Sequence, residues 1–154
     1  MEQEAGLKQR LTDDLKKALL ARDRVRVSAI RLAISAIKYA EIARRGELAE
    51  GDVVGIIARE IKQRRESIDA FKLGKRDDLV AQEEAEMAVL QEYMPPQITR
   101  EEIVALARQV IAEVGASGPR DKGKVMSRLM PQLKGKADGQ EINAVVTELL
   151  VSQA

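Results

Sequence analysis

Tyr93-Met94-Pro95-Pro96-Gln97-Ile98-Thr99 is the stretch that decides how this 154-residue chain is divided. Proline lacks a backbone N–H, fixes its own φ and pushes the preceding residue out of the helical region. Met94 and Pro95 are therefore both extended or turn-like, and no helix can cross them. No proline precedes this point, and four helical segments do. Three shorter segments follow it. The pattern predicts an all-α fold: a four-helix N-terminal domain over 1–94, a proline joint over 95–98 and a small three-helix domain over 99–154.

Working outward from the joint, Thr99 is followed three residues later by Glu102, the capping-box spacing. It opens a fifth helix whose inward face is Ile103, Ala107, Val110, Ile111 and Val114. After the loop Gly115–Pro119, a helix over about 122–133 presents Val125, Met126, Leu129, Met130 and Leu133, and Pro131 is expected to kink it or end it near Met130. Gly135 and Gly139 bracket a turn. Asp138 with Glu141 forms another capping pair, and Ile142, Val145, Val146, Leu149 and Leu150 line the last helix.

On the other side of the joint, Leu7, Leu11, Leu15 and Leu19 are spaced four apart over 5–22, one apolar stripe of a surface helix. Residues 24–44 carry two faces, Val27/Ile30/Ile34/Ile37 and Ala29/Leu32/Ala33/Ala36/Ala40, the pattern of a helix buried among several others. Gly46 is expected to close it and Asp52 to cap the next, whose face is Val54, Ile57, Ile61, Ile68 and Phe71. Gly74 ends that helix. Asp77 or Asp78 opens the fourth, with Leu79, Met87, Leu90 and Met94 inward. No segment alternates with period two, so no sheet is expected.

Composition narrows the chemistry. The chain contains no Cys and no His. That excludes disulfides, thiolate nucleophiles, Cys/His zinc sites and a histidine base. Aromatics are 2% of residues, so the core must be aliphatic. No cofactor or metal site is expected. No apolar run approaches the roughly 20 residues that span a bilayer, and the acidic N-terminus Met-Glu-Gln-Glu-Ala-Gly has no signal-peptide core, so a cytoplasmic location without membrane partners is expected.

Net charge is +1, but it is unevenly placed. Residues 1–94 hold 18 basic and 18 acidic side chains, whereas 120–136 hold Arg120, Lys122, Lys124, Arg128, Lys134 and Lys136 against Asp121 alone. Gly123 sits where the sixth helix begins, and helix starts offer free N–H groups and a positive dipole end. Lys122, Gly123, Lys124, Arg128, Lys134 and Lys136 are thus the candidate nucleic-acid-binding residues, a cradle for phosphate backbone. The competing reading is a solvated basic helix that keeps a small domain soluble. No aromatics interleave with these cations, so a nucleic acid here would be a folded backbone read by shape and charge.

Two other patterns are set aside. Gly118–Val125 nearly spells a phosphate-binding loop, but Val125 replaces the hydroxyl that would hold magnesium and no strand precedes it. Glu83, Glu84 and Glu86 lack the histidines of a di-metal bundle and read as solvated helix charges. Arg64 and Arg65 interrupt an apolar stripe, and one of them is expected to snorkel over the core edge.

The whole chain resembles the small bacterial YqeY-like proteins. Its second half is similar to the C-terminal tail of the GatB subunit of the tRNA-dependent amidotransferase. Asp121, Gly123, Val125, Met126, Leu129, Met130 and Pro131 carry the tail likeness, with Lys134, Gly135, Ala137, Asp138 and Gly139. Tyr93, Met94, Pro95, Gln97, Ile98 and Thr99 match at the joint, and in the first half Arg31–Ile42 and Lys62–Phe71 resemble the YqeY-like family. The resemblance implies a four-helix and a three-helix domain, and a tail that touches tRNA away from the chemistry. It also implies the carbon–nitrogen ligase activity, with glutamine as amido donor, that goes with the family name. The chain lacks both the ATP-using domain and the Ser-Lys amidase centre of that enzyme. The expectation is therefore a non-catalytic protein that binds tRNA or other structured RNA, with no catalytic residues of its own. The alternatives are an adaptor for an amidotransferase or aminoacyl-tRNA-related protein, and the ligase itself.

Overall fold

Ala-, Leu-, Lys- and Glu-rich segments without internal β-branched alternation fold as helix, and the computed structural model, which describes residues 6–153, holds seven α-helices and no strand among those residues. They are α1 (Leu7–Ala21), α2 (Arg24–Arg44), α3 (Glu50–Leu73), α4 (Asp77–Gln91), α5 (Arg100–Val114), α6 (Lys122–Leu133) and α7 (Gly139–Ser152), with a 3₁₀ turn at Pro119–Asp121. Two compact units form, one ending at Met94 and one beginning at Pro95. The first contains α1–α4 and the second α5–α7. The expected helix start at residue 5 and the acidic first residues lie outside the described residues.

In the first unit, α2 packs against α1, α3 and α4, and α3 also packs along α4. The core holds Leu11, Ala29, Ile30, Ala33, Ile57, Leu90 and their neighbours. Full burial of each leucine or isoleucine contributes about 1.5–3 kcal/mol. Tyr93 closes this core at its C-terminal edge. Its hydroxyl donates to the Asp14 carboxylate, and the Arg10 guanidinium lies over its ring, 5.2 Å from the centroid. Burial first, and this hydrogen bond second, push the Tyr93 hydroxyl well above its ordinary pKa. The start of α1 is held from α3: the Leu7 N–H donates to Glu50 Oε1 at 2.8 Å.

Several local expectations are corrected here. The stripe of α1 stops being core at Ala18, and Leu19 stands in solvent. α2 packs among α1, α3 and α4 as expected, but Leu32 of its second face is exposed. α3 begins at Glu50 with Ala49 as N-cap, so Asp52 lies inside the first turn, where Arg44 reaches it at 2.7 Å. α4 does open at Asp77 as expected, after Arg76, whose side chain holds Asp78. Left-handed Arg22 (φ 56°) ends α1 and left-handed Arg45 (φ 58°), not Gly46, ends α2; Gly74 ends α3 as expected, but the left-handed residue there is Lys75 (φ 55°).

The largest correction concerns charge inside the first unit. Neither arginine of the Arg64-Arg65 pair simply snorkels: Arg64 is buried, at 6% exposure, and Nη1 donates to Glu86 Oε2 at 2.7 Å and Glu83 Oε2 at 3.2 Å. Glu86, read as a solvated charge, is itself buried at 4%. Long residues at the α3–α4 contact meet because both helices present charge at one level of an otherwise aliphatic seam. Arg64 Nε and Nη2 are buried without a hydrogen-bond partner.

The second unit packs α5, α6 and α7 on one another around Ile103, Val110, Leu129, Leu133, Ile142 and Val146. The capping box at its entrance is formed on both sides: Thr99 Oγ1 accepts from the Glu102 N–H at 3.2 Å, and Glu102 Oε2 accepts from the Thr99 N–H at 2.7 Å. Gly115 ends α5 at φ 68°, a conformation where any side chain is strained. α6 does not stop at Met130; it runs through Pro131 to Leu133. Only two residues follow the proline, so the lost bond falls in the last turn, where carbonyl partners are already scarce. Asp138 caps α7 through the Gln140 N–H at 2.8 Å.

Candidate nucleic-acid interface

α6 is amphipathic in the plainest way. Val125, Leu129 and Leu133 recur every four residues into the core, Met126 and Met130 pack beside them, and Lys124 and Arg128 fall on the outer face. Val125 is fully buried, so the near phosphate-loop motif places a core residue where a metal-binding hydroxyl would be needed. Gly123 is exposed, and a Cβ built on it would meet nothing within 4 Å. The ground above this backbone is open to a ligand.

The six candidates do not converge on one cradle. Lys122, Gly123 and Lys124 form the start of α6, with Arg128 one turn on. Lys134 and Lys136 follow the opposite end. Eleven residues separate Gly123 from Lys134, about 16 Å along a helix. These two lysines therefore do not share a pocket with Gly123. Their loop is fixed from the joint: the Gln97 side-chain amide donates to the Gly135 carbonyl at 2.8 Å, and the Ile98 N–H to the Lys136 carbonyl at 3.0 Å. Gln97 and Ile98 are thus tied into the second unit.

The helix start is less open than the sequence implies. The 3₁₀ turn runs directly into α6, and the Lys122 N–H is taken by the Pro119 carbonyl. Asp121 does not cap α6; its carboxylate accepts from the Ser117 N–H at 2.9 Å. That backbone donor, foremost, holds the Asp121 carboxyl below the usual carboxylate range. Asp121 also stands 3.9 Å from Lys124, and Glu113 of α5 stands 3.7 Å from Arg128. Glu113 was invisible to a charge count over 120–136, since its approach depends on the α5–α6 packing. Long, solvated pairs of this kind contribute little, so phosphate can displace them.

No His, Cys, Asp or Glu cluster that could hold a metal occurs among the described residues, and none of their helices is long and apolar enough to cross a membrane.

Residues 8–150 match the family described as Yqey-like protein. Among curated proteins, the chain is similar to altered inheritance of mitochondria protein 41, mitochondrial, of Saccharomyces cerevisiae S288c, with 46% identity over 85 residues, 54% of this chain and 46% of the yeast protein. The protein of the same name from Kluyveromyces lactis is 37% identical over 131 residues, 83% of this chain and 67% of that one. Its counterpart from Eremothecium gossypii is 40% identical over 107 residues, 68% of this chain and 58% of its own length. The matched stretch thus covers about half of the Saccharomyces relative. These relatives are yeast proteins, mitochondrial by name, where the resemblance drawn from sequence was to bacterial ones. With nearly its whole length matched, the chain belongs to the Yqey-like protein family.

Proposed function

We propose that the chain is a non-catalytic RNA-binding protein, and that the outer face of α6 and the loop after it hold the phosphate backbone of tRNA or another structured RNA. The two units serve as two domains, four helices then three, joined at residues 95–98. The observation that carries the reading is the exposure of Lys124 and Arg128 on α6 and of Lys134 and Lys136 after it, in the aromatic-free second unit, with open ground at Gly123. Its cations are spread over about 16 Å, so they meet separate phosphates rather than one. With no aromatic side chain after Tyr93, base stacking has no platform. Recognition is of a backbone, salt-dependent and weakly sequence-selective. The proposed place of action is the cytoplasm, or the mitochondrion given by the yeast relatives' names; both contain tRNA.

The test is a titration of unmodified tRNA into the full chain across salt concentrations. Removing one cation that meets a phosphate should lower the slope of log K against log salt by about one. Lys124→Ala with Arg128→Ala should therefore lower it by about two and weaken binding at low salt. No tRNA binding at low salt, or binding indifferent to these substitutions, refutes the reading. Amide formation from glutamine by the purified chain would instead support the ligase alternative. Association with an amidotransferase subunit in the absence of RNA would support the adaptor.

A further inference from the structure

The first unit carries a second basic surface, independent of the α6 face. On α2 the side chains Val25, Leu32 and Tyr39 recur every seven residues, and all are exposed, at 38%, 49% and 75%. Ile42, three residues after Tyr39, is exposed at 73%. About 100° round the helix from this stripe, beyond Ser28 and Ser35, runs a row of cations at the same spacing: Arg24, Arg31 and Lys38, continued by Arg45 at the helix end. Seven residues are about 10.5 Å of helix, so the cations stand one per two turns on one side of the apolar stripe. None of these four side chains has an ion-pair or hydrogen-bond partner among the described residues. The only acid of α2, Glu41, is turned away to Lys8 of α1, at 2.8 Å. At the N-terminal end of the stripe the surface opens into a concavity of about 630 Å³ between α1 and α2, lined by Leu19 and Leu32 with Arg22, Arg24 and Arg31 around them.

An apolar row flanked by charge at seven-residue spacing is what one helix presents to another in a coiled-coil contact. Here the flanking charge has one sign and lies on one side. The other flank of the stripe is Ala29, Ala36 and Ala43, the first of which is already core. A second copy of the chain is a poor occupant. Packed antiparallel about a two-fold axis, it would set the cation row against itself; packed parallel, it would set the row against alanines. Four exposed aliphatic and aromatic groups are likewise no match for a phosphate backbone. We infer that this face of α2 docks an acidic amphipathic helix of a partner protein, whose leucine-type stripe covers Val25, Leu32, Tyr39 and Ile42 and whose Glu or Asp row meets Arg24, Arg31 and Lys38. The partner wraps gently, since a seven-residue row drifts by about 20° per heptad on a straight helix.

The experiment uses the full chain and a fluorescein-labelled peptide of three heptads, with leucines forming the stripe and glutamates flanking it. Mutual repulsion keeps that peptide monomeric at neutral pH. A twin peptide carries lysines in place of the glutamates. The glutamate peptide should bind, more weakly as salt rises, and the lysine peptide should not. In the chain carrying Arg31→Glu and Lys38→Glu, glutamate-peptide affinity should fall by at least ~10-fold and lysine-peptide binding should appear. Leu32→Ser should weaken both pairings with unchanged helical circular dichroism. Failure of the glutamate peptide to bind at low salt overturns the inference, as does binding that ignores these substitutions. It is overturned equally if light scattering shows a dimer of the chain that Leu32→Ser dissolves, or if Arg31→Glu with Lys38→Glu removes tRNA affinity, which would give the row to RNA.

Discussion

Replacing Glu86 by alanine should cost the first unit about 3 kcal/mol, a large effect for an acidic residue on a helix exterior by sequence. Glu86 and Arg64 meet at 2.7 Å and are 4% and 6% exposed. Removing one member of a buried pair leaves an uncompensated charge, which costs about 3–5 kcal/mol. Glu83, 3.2 Å from the same Nη1 and only partly buried, remains as a partner and holds the loss at the lower end. Replacing both members should behave differently. Arg64→Met with Glu86→Leu removes two charges and also the Nε and Nη2 donors, which are buried without acceptors. Each orphaned donor costs about 1–3 kcal/mol. The double replacement is therefore expected to be neutral or stabilising, and the coupling between the sites to exceed about 2 kcal/mol. The assay follows from the aromatic content: Tyr39 and Tyr93 are the only tyrosines, there is no Trp, and both lie in the first unit. Urea unfolding followed by tyrosine emission reads that unit without the other. A loss below about 1 kcal/mol for Glu86→Ala, or a double variant as unstable as the single one, would refute the reasoning.

Thr99→Ala should destabilise the second unit by about 1 kcal/mol through loss of the capping box, shifting the far-ultraviolet transition of that unit while the tyrosine transition stays in place. Leu129→Ala, at a fully buried position of α6, should cost about 2–5 kcal/mol in the same measurement. Lys75→Gly should stabilise the first unit by about 0.5 kcal/mol, since a left-handed Cβ is relieved and only part of that gain is returned as unfolded-chain entropy. Glu41 and Glu92 are held below the ordinary carboxylate range, first by hydrogen bonds from Lys8 and Arg26 respectively. Their folded pKa values lie below the unfolded ones, so their stabilisation is present above the usual carboxylate range and is lost as pH falls through the folded values. Acid titration of the tyrosine signal should show that loss, and Glu41→Gln with Glu92→Gln should flatten it.

What the sequence discloses well is what neighbours in sequence decide. The Thr99/Glu102 box needs four consecutive residues, and it stands as expected. The core faces of α5, α6 and α7 also follow from period alone, because each of those helices has the others on its apolar side. Period fails where it must also know whether a neighbour exists. Leu19 and Leu32 complete clean stripes, yet both stand in solvent because no helix of the described chain covers that edge of α1 and α2. Helix ends fail for a related reason. Glycine is the ordinary left-handed residue, but at α2 and after α3 the chain turns at Arg45 and Lys75, where the hydrogen bonds back to the helix fix the register. Pairings such as Arg64 with Glu86, 22 residues apart, depend on how α3 and α4 are aligned, which no local pattern encodes.

Charge shows the same limit in its strongest form. The first 94 residues are neutral by count, so a count places the electrostatic interest after residue 120. Neutrality of a sum says little about a surface. Several acids of that unit are committed to particular cations: Glu83 and Glu86 to Arg64, Glu92 to Arg26, Asp78 to Arg76, Glu41 to Lys8 and Asp52 to Arg44. Other cations are spread over α1, α2 and α3, but Arg24, Arg31 and Lys38 line one edge of α2. Screening in 0.1 M salt acts over about 10 Å, close to the spacing of the row itself. An approaching acidic segment therefore feels the row next to it and almost nothing of the distant compensating acids. A neutral domain can in this way present a basic edge as definite as that of the plainly basic α6 face.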